Sequence, residues 1–184
     1  MPPIPPRDLT LMEVEWILRD SEGERSVHRG DESPGHSYGG HVALTKSELW
    51  SRADKDARNG KIALFTAFVS TRDQVAAAQE TLNSVEGKWA RNQLFQAPST
   101  ARFPKGSHNG MLARIYHSGR TRNVRYAGGT GIMPVNNYVM NLARDDSRRL
   151  GLHVKTFYGT PSEAPPRYAV AVFARDDAPF SEGP

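Results

Sequence analysis

His41, Arg52, Thr156 and Tyr158 are the residues of this 184-residue chain whose types could do chemistry together. His41 follows Gly39 and Gly40, which let the backbone pass close to another element or a ligand. Arg52 lies eleven residues further on, about three turns if the segment were one continuous helix. Between them "TKSE", Thr45 to Glu48, is a capping box that starts a new helix, so their proximity is a hypothesis rather than a consequence of spacing. Thr156 and Tyr158 fall in "LHVKTFYG". Simple alternation there puts Val154, Thr156 and Tyr158 on one face and His153, Lys155 and Phe157 on the other. A hydroxyl beside a phenol can hold a phosphate, although both residue types are also common in strands for packing alone.

The charge pattern is compatible with an anionic partner. The net charge is +4, yet residues 1–40 hold four Lys/Arg against eight Asp/Glu, so the remainder carries all of the positive excess. From Lys88 to Arg144 there is no acidic residue, and nine basic ones occur: Lys88, Arg91, Arg102, Lys105, Arg114, Arg120, Arg122, Arg125 and Arg144. Such a one-signed stretch attracts a polyanion, most often nucleic acid, or else forms a solvated basic surface. There is no cysteine, which excludes disulfides and thiolate chemistry. No run of about 18 apolar residues exists, so no membrane-spanning segment is expected.

These residues need a scaffold. Residues 1–38 are expected to be a flexible leader or linker, rich in Pro, Gly and Ser, within which "LTLMEVEWIL" could form a strand or a short helix. The compact domain is expected over residues 39–175, with a disordered tail at 176–184. Its helix after "TKSE" should run to about Ala57, and "KIALFTAFVS" should be a buried strand closed by Ser70 or Thr71 as the next cap. From Arg72 the spacing of Val75, Ala78, Leu82 and Val85 is helical, with Gly87 expected to break the helix. Five strands then follow: residues 111–118, 122–128, 135–144, 152–159 and 167–175. Helices followed by strands predict an α+β fold with a twisted, mostly antiparallel sheet.

Most signature motifs are missing, including a Walker A loop, HExxH, GxSxG and paired histidines at metal spacing. "AGGTG", Ala127 to Gly131, lies between strands and is not followed by a helix, so it reads as a turn. No metal and no cofactor is expected. His28, His36, His108 and His117 read as surface or turn residues.

Taken together, "GGHVALTKSELWSR", "ALFTAFVSTRDQVAAAQETLN" and "VKTFY" resemble the bacterial RNase A-like toxin domains found at the C-terminal tips of contact-dependent growth-inhibition proteins and related polymorphic toxins. The resemblance covers roughly Gly39 to Pro161. It departs after Tyr158, where Gly159 and Thr160 precede Pro161, and "FQAPSTARFPKGSHNG" is hard to align. What it implies is an RNase A-like fold without disulfides and a metal-independent endoribonuclease. In such an enzyme His41, Arg52, Thr156 and Tyr158 would be catalytic. Histidine suits the base that activates a ribose 2′-hydroxyl, and a permanently cationic Arg52 suits the phosphorane. Thr156 would donate to a non-bridging oxygen, while Tyr158 would bind the phosphate or lie under a base. Lys155, Arg114, Arg120, Arg122 and Arg125 are assigned to the RNA backbone. The implied partners are RNA, with tRNA one candidate, and a cognate immunity protein, the domain itself being a monomer. It would be delivered within a larger effector to the cytoplasm of a target bacterium. Two alternatives stay open at this point: a non-catalytic nucleic-acid-binding module, and a toxin of other chemistry such as an ADP-ribosyltransferase.

Overall fold

The computed structural model describes residues 7–22, 51, 66–96, 112–126, 131–161, 170–173 and 179–182. Helix α1 spans Leu11–Ser21 and starts at a capping box, in which the Thr10 side chain accepts from the Glu13 N–H and Glu13 accepts from the Thr10 N–H at 2.9 Å. Strand β1, Thr66–Phe68, leads to helix α2, Thr71–Asn83, whose N-cap is Ser70 accepting from the Asp73 N–H at 3.1 Å. Helix α3, Val85–Gln96, follows after a break at Ser84, where the backbone turns extended. Gly87 was expected to be the breaker. It lies instead inside α3, where a Cβ would come within 2.1 Å of the Thr81 carbonyl oxygen. Close backbone approach, not chain termination, requires glycine there.

The remaining strands are β2 (Leu112–Tyr126), β3 (Ile132–Arg144), β4 (Leu152–Thr160), β5 (Val170–Phe173) and β6 (Pro179–Glu182). They pair in the order β4-β3-β2-β5-β6, all antiparallel, and β1 pairs with the far end of β2. The expected α+β class with an antiparallel sheet is therefore what the chain forms. The two strands expected at 111–118 and 122–128 are one long strand, β2, interrupted by an irregularity between Ser118 and Arg122. There Glu80 of α2 accepts from the Arg120 N–H at 2.9 Å and from Arg122 Nη1 at 2.8 Å. The helix thus fixes the bend of the strand.

Among the described residues, α1, α2 and α3 pack on one face of the sheet. Val14, Ile17 and Leu18 of α1, Ala78 and Leu82 of α2 and Leu94 of α3 share a core with Ile115, Met140, Leu142, Val154 and Phe157. Phe68, Tyr138 and Phe157 stack within it, with ring centroids 5.4–6.1 Å apart.

Two expectations about the chain ends change. Residues 7–22 are no flexible leader, because four apolar side chains (Leu9, Val14, Ile17 and Leu18) are buried there. Their polar backbone is tied down as well. Leu9 exchanges hydrogen bonds of 2.8 and 2.9 Å with the Asn83 side chain, and Arg91 donates to the Arg7 carbonyl at 2.9 Å. The high content of charge and glycine around α1 hid this short amphipathic helix. At the other end, residues 179–182 pair with β5 rather than belonging to a disordered tail.

Candidate functional site

Register decides which side chains of β4 share a face. Asn141 pairs with Thr156, but the next residue of β3, Leu142, pairs with Val154. Lys155 is thus an extra residue, a β-bulge. Below it Leu152 and Val154 point into the helix-side core, and above it Phe157 does so. The bulge reverses the alternation, so that His153 lies on the same face as Thr156 and Tyr158. Two placements expected from simple alternation are corrected: His153 shares the face of Thr156 and Tyr158, and Val154, expected beside them, points into the core on the other face. Phe157 remains on the other face from Thr156 and Tyr158, as expected.

α1 is close to this bulge. The Val154 N–H donates to Ser21 Oγ at 2.9 Å, and Ser21 Oγ in turn donates to the Ile17 carbonyl at 2.7 Å. A buried N–H that the irregular ladder leaves over is satisfied by a helix from the segment expected to be a leader.

On the face away from the helices, pairing lines up side chains in rows across β2, β3 and β4. Arg114, Asn141 and Thr156 form one row, and Tyr116, Val139 and Tyr158 form the next. Ser118, Asn137 and Thr160 follow on one side, and Leu112, Ala143 and His153 on the other. Arg114 Nε donates to Asn141 Oδ1 at 3.2 Å, which orients the guanidinium along its row. Burial raises the Tyr158 pKa above its ordinary value, the neighbouring Tyr116 phenol raises it further, and Arg114 opposes both. Tyr158 is therefore a neutral hydrogen-bonding phenol at physiological pH. The face grades from fully buried at His153 to half-buried at Tyr116, Thr156 and Tyr158. A guanidinium, an amide, a hydroxyl and two phenols on one surface can bind an anion with an attached ring system.

His41 and Arg52 lie outside the described residues, as do the helix expected from Thr45 apart from Ser51, and residues 61–65 of the strand expected before Ser70. The structure therefore brings together Thr156, Tyr158 and Arg114. Asn141 and Tyr116 were missed by the sequence reading. Their signal was available only through register, because each lies in a different strand from Thr156.

The other basic residues fare differently. Arg120 and Arg125 are exposed. Arg122 is mostly buried, bonded to Glu80, donating to Tyr138 Oη at 3.2 Å and lying 5.6 Å from the ring centre. Burial works against ionised Glu80, but hydrogen bonds from Arg122 and the Arg120 N–H hold its pKa below the usual carboxylate range. The charge of Arg122 is thus already balanced inside the protein. Lys88 pairs with Asp8 at 2.6 Å, Arg91 is buried beside Arg7, and Arg144 pairs with Asp146 at 2.8 Å. His117 is inside β2 and not at a strand end; its Nδ1 is 3.5 Å from Glu86. Among the described residues no three His, Cys, Asp or Glu side chains gather as a metal site, and no helix is long and apolar enough to cross a membrane.

No protein-family model and no curated protein matches this chain. A solved chain from the CdiA-CT/CdiI complex of Y. kristensenii 33638 is similar to it, with 23% identity and a TM-score of 0.46, over 69% of this chain and 100% of that one.

Proposed function

We propose that the protein is a metal-independent endoribonuclease toxin of interbacterial competition, with Thr156, Tyr158 and Arg114 on its phosphate-binding face. The observation that carries this reading is the juxtaposition of these three side chains across three strands, with Asn141 orienting the arginine. It adds to the sequence resemblance, which supplies His41 as base and Arg52 as the permanent cation.

In this scheme His41 takes the proton of a ribose 2′-hydroxyl, whose oxygen attacks the adjacent phosphorus. The bond to the 5′-oxygen breaks, that oxygen takes up a proton, and a 2′,3′-cyclic phosphate remains. Negative charge that grows on the non-bridging oxygens is met by Arg52, Arg114 and the Thr156 hydroxyl. Tyr158, kept neutral by burial, donates a hydrogen bond rather than repelling the phosphate. Lys155, Arg120 and Arg125 extend the cationic surface along the RNA backbone. A basic toxin of this kind calls for an acidic immunity protein in the producing cell, and charge complementarity would speed its capture. Delivery within a larger effector to the target cytoplasm belongs to the same reading.

The test is incubation of the protein with total RNA, with and without EDTA, followed by analysis of the new ends. Cleavage in EDTA that leaves 2′,3′-cyclic phosphates is expected. Cleavage that stops in EDTA and returns with magnesium overturns the mechanism. Tight RNA binding without cleavage instead favours a non-catalytic binding module.

A further inference from the structure

Alternation fixes which face of β4 is buried, not how far along β3 the strand lies. A slip of two residues keeps every face and still moves Thr156 away from Asn141. The turn before β4 settles the first part of the strand. The Asp145 N–H donates to the Gly151 carbonyl at 2.9 Å and the Gly151 N–H to the Arg148 carbonyl at 3.0 Å, which sets Leu152 against Arg144 and Val154 against Leu142. The extra residue, Lys155, ends the reach of that turn. Thr156 and Tyr158 lie beyond it, on a strand whose ladder neighbour among the described strands is β3.

Two buried hydroxyls grip β4 on either side of the bulge. Before it, the Val154 N–H donates to Ser21 Oγ of α1 at 2.9 Å, and the serine is itself fixed by donating to the Ile17 carbonyl at 2.7 Å. Beyond it, the Thr66 hydroxyl of β1 donates to the carbonyl of Gly159, the residue after Tyr158. Ser21 is fully buried and Thr66 nearly so. The backbone at Gly159 is closely packed, since a Cβ there would come within 2.7 Å of Val135 Cγ2. β1 has its own place in the fold: Thr66 pairs with Tyr126 of β2, and Phe68 stacks on Phe157 with ring centroids 5.4 Å apart. In the chain, Ser21 and Thr66 also bracket the stretch that carries His41 and Arg52.

We propose that Ser21 and Thr66 are positioning residues of the phosphate face: their hydroxyls hold β4 on both sides of the bulge and thereby set Thr156 opposite Asn141 and Tyr158 opposite Val139. For its kinetic test this rests on the proposed ribonuclease reading, to which it adds two residues that touch neither substrate nor reacting atoms. A misplacement of about 1 Å in a group that meets the phosphate can cost roughly 10²-fold in rate. Thr66→Val keeps the outline of the side chain but leaves a buried carbonyl without that donor, a cost the strand relieves by shifting. Ser21→Ala does the same to the Val154 N–H.

Thr66→Val, Thr66→Ser and Ser21→Ala are made in the full chain, with the core variant Leu18→Ala as a control for lost stability. On an RNA oligonucleotide, well below every Tm, kcat should fall roughly 10²-fold in Thr66→Val with KM little changed, and it should fall in Ser21→Ala as well. Thr66→Ser, which keeps the hydroxyl, and Leu18→Ala should retain the parent kcat. In ¹H–¹⁵N spectra the amides of Thr156 and Tyr158, and the Arg114 Nε–H that bonds Asn141, should shift in Thr66→Val and Ser21→Ala but stay in place in Thr66→Ser. Parent-like kcat in folded Thr66→Val overturns the proposal, as does an equal loss of kcat in Leu18→Ala. Unmoved signals of Thr156, Tyr158 and Arg114 overturn it too. Should Thr66→Val fail to fold, Ser21→Ala is read in its place by the same criteria. A parent that cuts no RNA removes the ribonuclease reading, and the spectra then decide the positioning by themselves.

Discussion

Removing one hydroxyl from Thr156 or Tyr158 should cost less than removing the base that starts the reaction. His41→Ala is expected to lower kcat/KM by roughly 10²–10⁴-fold, the usual contribution of a general base. Thr156→Val and Tyr158→Phe each delete a single donor and little volume, so their losses should be smaller, with circular dichroism unchanged. Rates on a single-stranded oligonucleotide check this ranking, and parent-like cleavage by His41→Ala breaks the proposed site. His153 belongs to a different class. It is fully buried on the face that carries Thr156 and Tyr158, so His153→Ala leaves a cavity. The alternation rule placed it wrongly because Lys155 looks like any strand residue in the sequence. A bulge arises from pairing with β3 and from the Ser21 hydroxyl of α1, and neither partner is visible within "LHVKTFYG". Thr156 and Tyr158 were legible as a pair because they lie beyond the bulge, where alternation resumes.

At the scale of elements, the caps were the readable part. Ser70 was recognised as a candidate start of α2, and the spacing of Val75, Ala78 and Leu82 put its buried face correctly, whereas Val85, expected on the same face, opens α3 and is exposed. α1 carries an equally good cap, Thr10 with Glu13, but its proline-rich and charged surroundings suggested a linker. That cap makes stability depend on acid. The hydrogen bond from Arg7, followed by that of the Thr10 N–H, holds the Glu13 pKa down to about 2 from an ordinary 4.5. A carboxylate with a depressed folded pKa stabilises the fold fully above its unfolded value and loses that contribution as pH falls towards the folded one. Urea unfolding of the parent and of Glu13→Gln should therefore differ most above about pH 5. The difference should shrink steadily between about pH 4.5 and 2. A gap that stays constant over this range means that Glu13 does not cap α1 as a carboxylate.

For the whole molecule, the stretch from Lys88 to Arg144 without acidic residues suggested one continuous basic surface. Folding brings its counter-charges from elsewhere: Asp8 to Lys88, Glu80 to Arg122 and Asp146 to Arg144. Sequence order could not show this, because two of those three acids precede the stretch and the third follows it. The exposed remainder among the described residues includes Arg120 and Arg125. Each phosphate contact on single-stranded RNA contributes about −0.7 to the slope of log K against log salt. Arg125→Gln should flatten that slope by about this amount and leave Tm alone. Arg122→Gln should do the reverse, lowering Tm because Glu80 loses its partner in a largely buried setting, with little change of slope. A salt titration of RNA binding, read beside thermal unfolding, separates the two. An equal slope change in both variants places Arg122 on the RNA.

The same view of the whole molecule decides where the folding unit begins. A chain starting at Ser37 would match the domain expected from composition, yet it lacks Leu9, Val14, Ile17 and Leu18, all buried in the shared core. It also lacks the backbone of Arg7 and Leu9 that Arg91, Gln79 and Asn83 bond, and the Ser21 hydroxyl beneath the bulge. Removing one buried Leu side chain typically costs about 2–5 kcal/mol, and whole domains are stable by only about 5–15 kcal/mol. Loss of four apolar side chains with their clamps should therefore unfold the domain rather than trim it. The milder substitution Leu18→Ala should leave it folded but less stable by about 2–5 kcal/mol in urea. Amide exchange distinguishes the cases: the shortened chain should lose protection throughout β3 and β4, whereas Leu18→Ala should keep it at a lower overall level. A shortened chain that still protects β4 and cleaves RNA at the parent rate would show that α1 is dispensable. The bulge at Lys155 would then have to be held by the sheet alone.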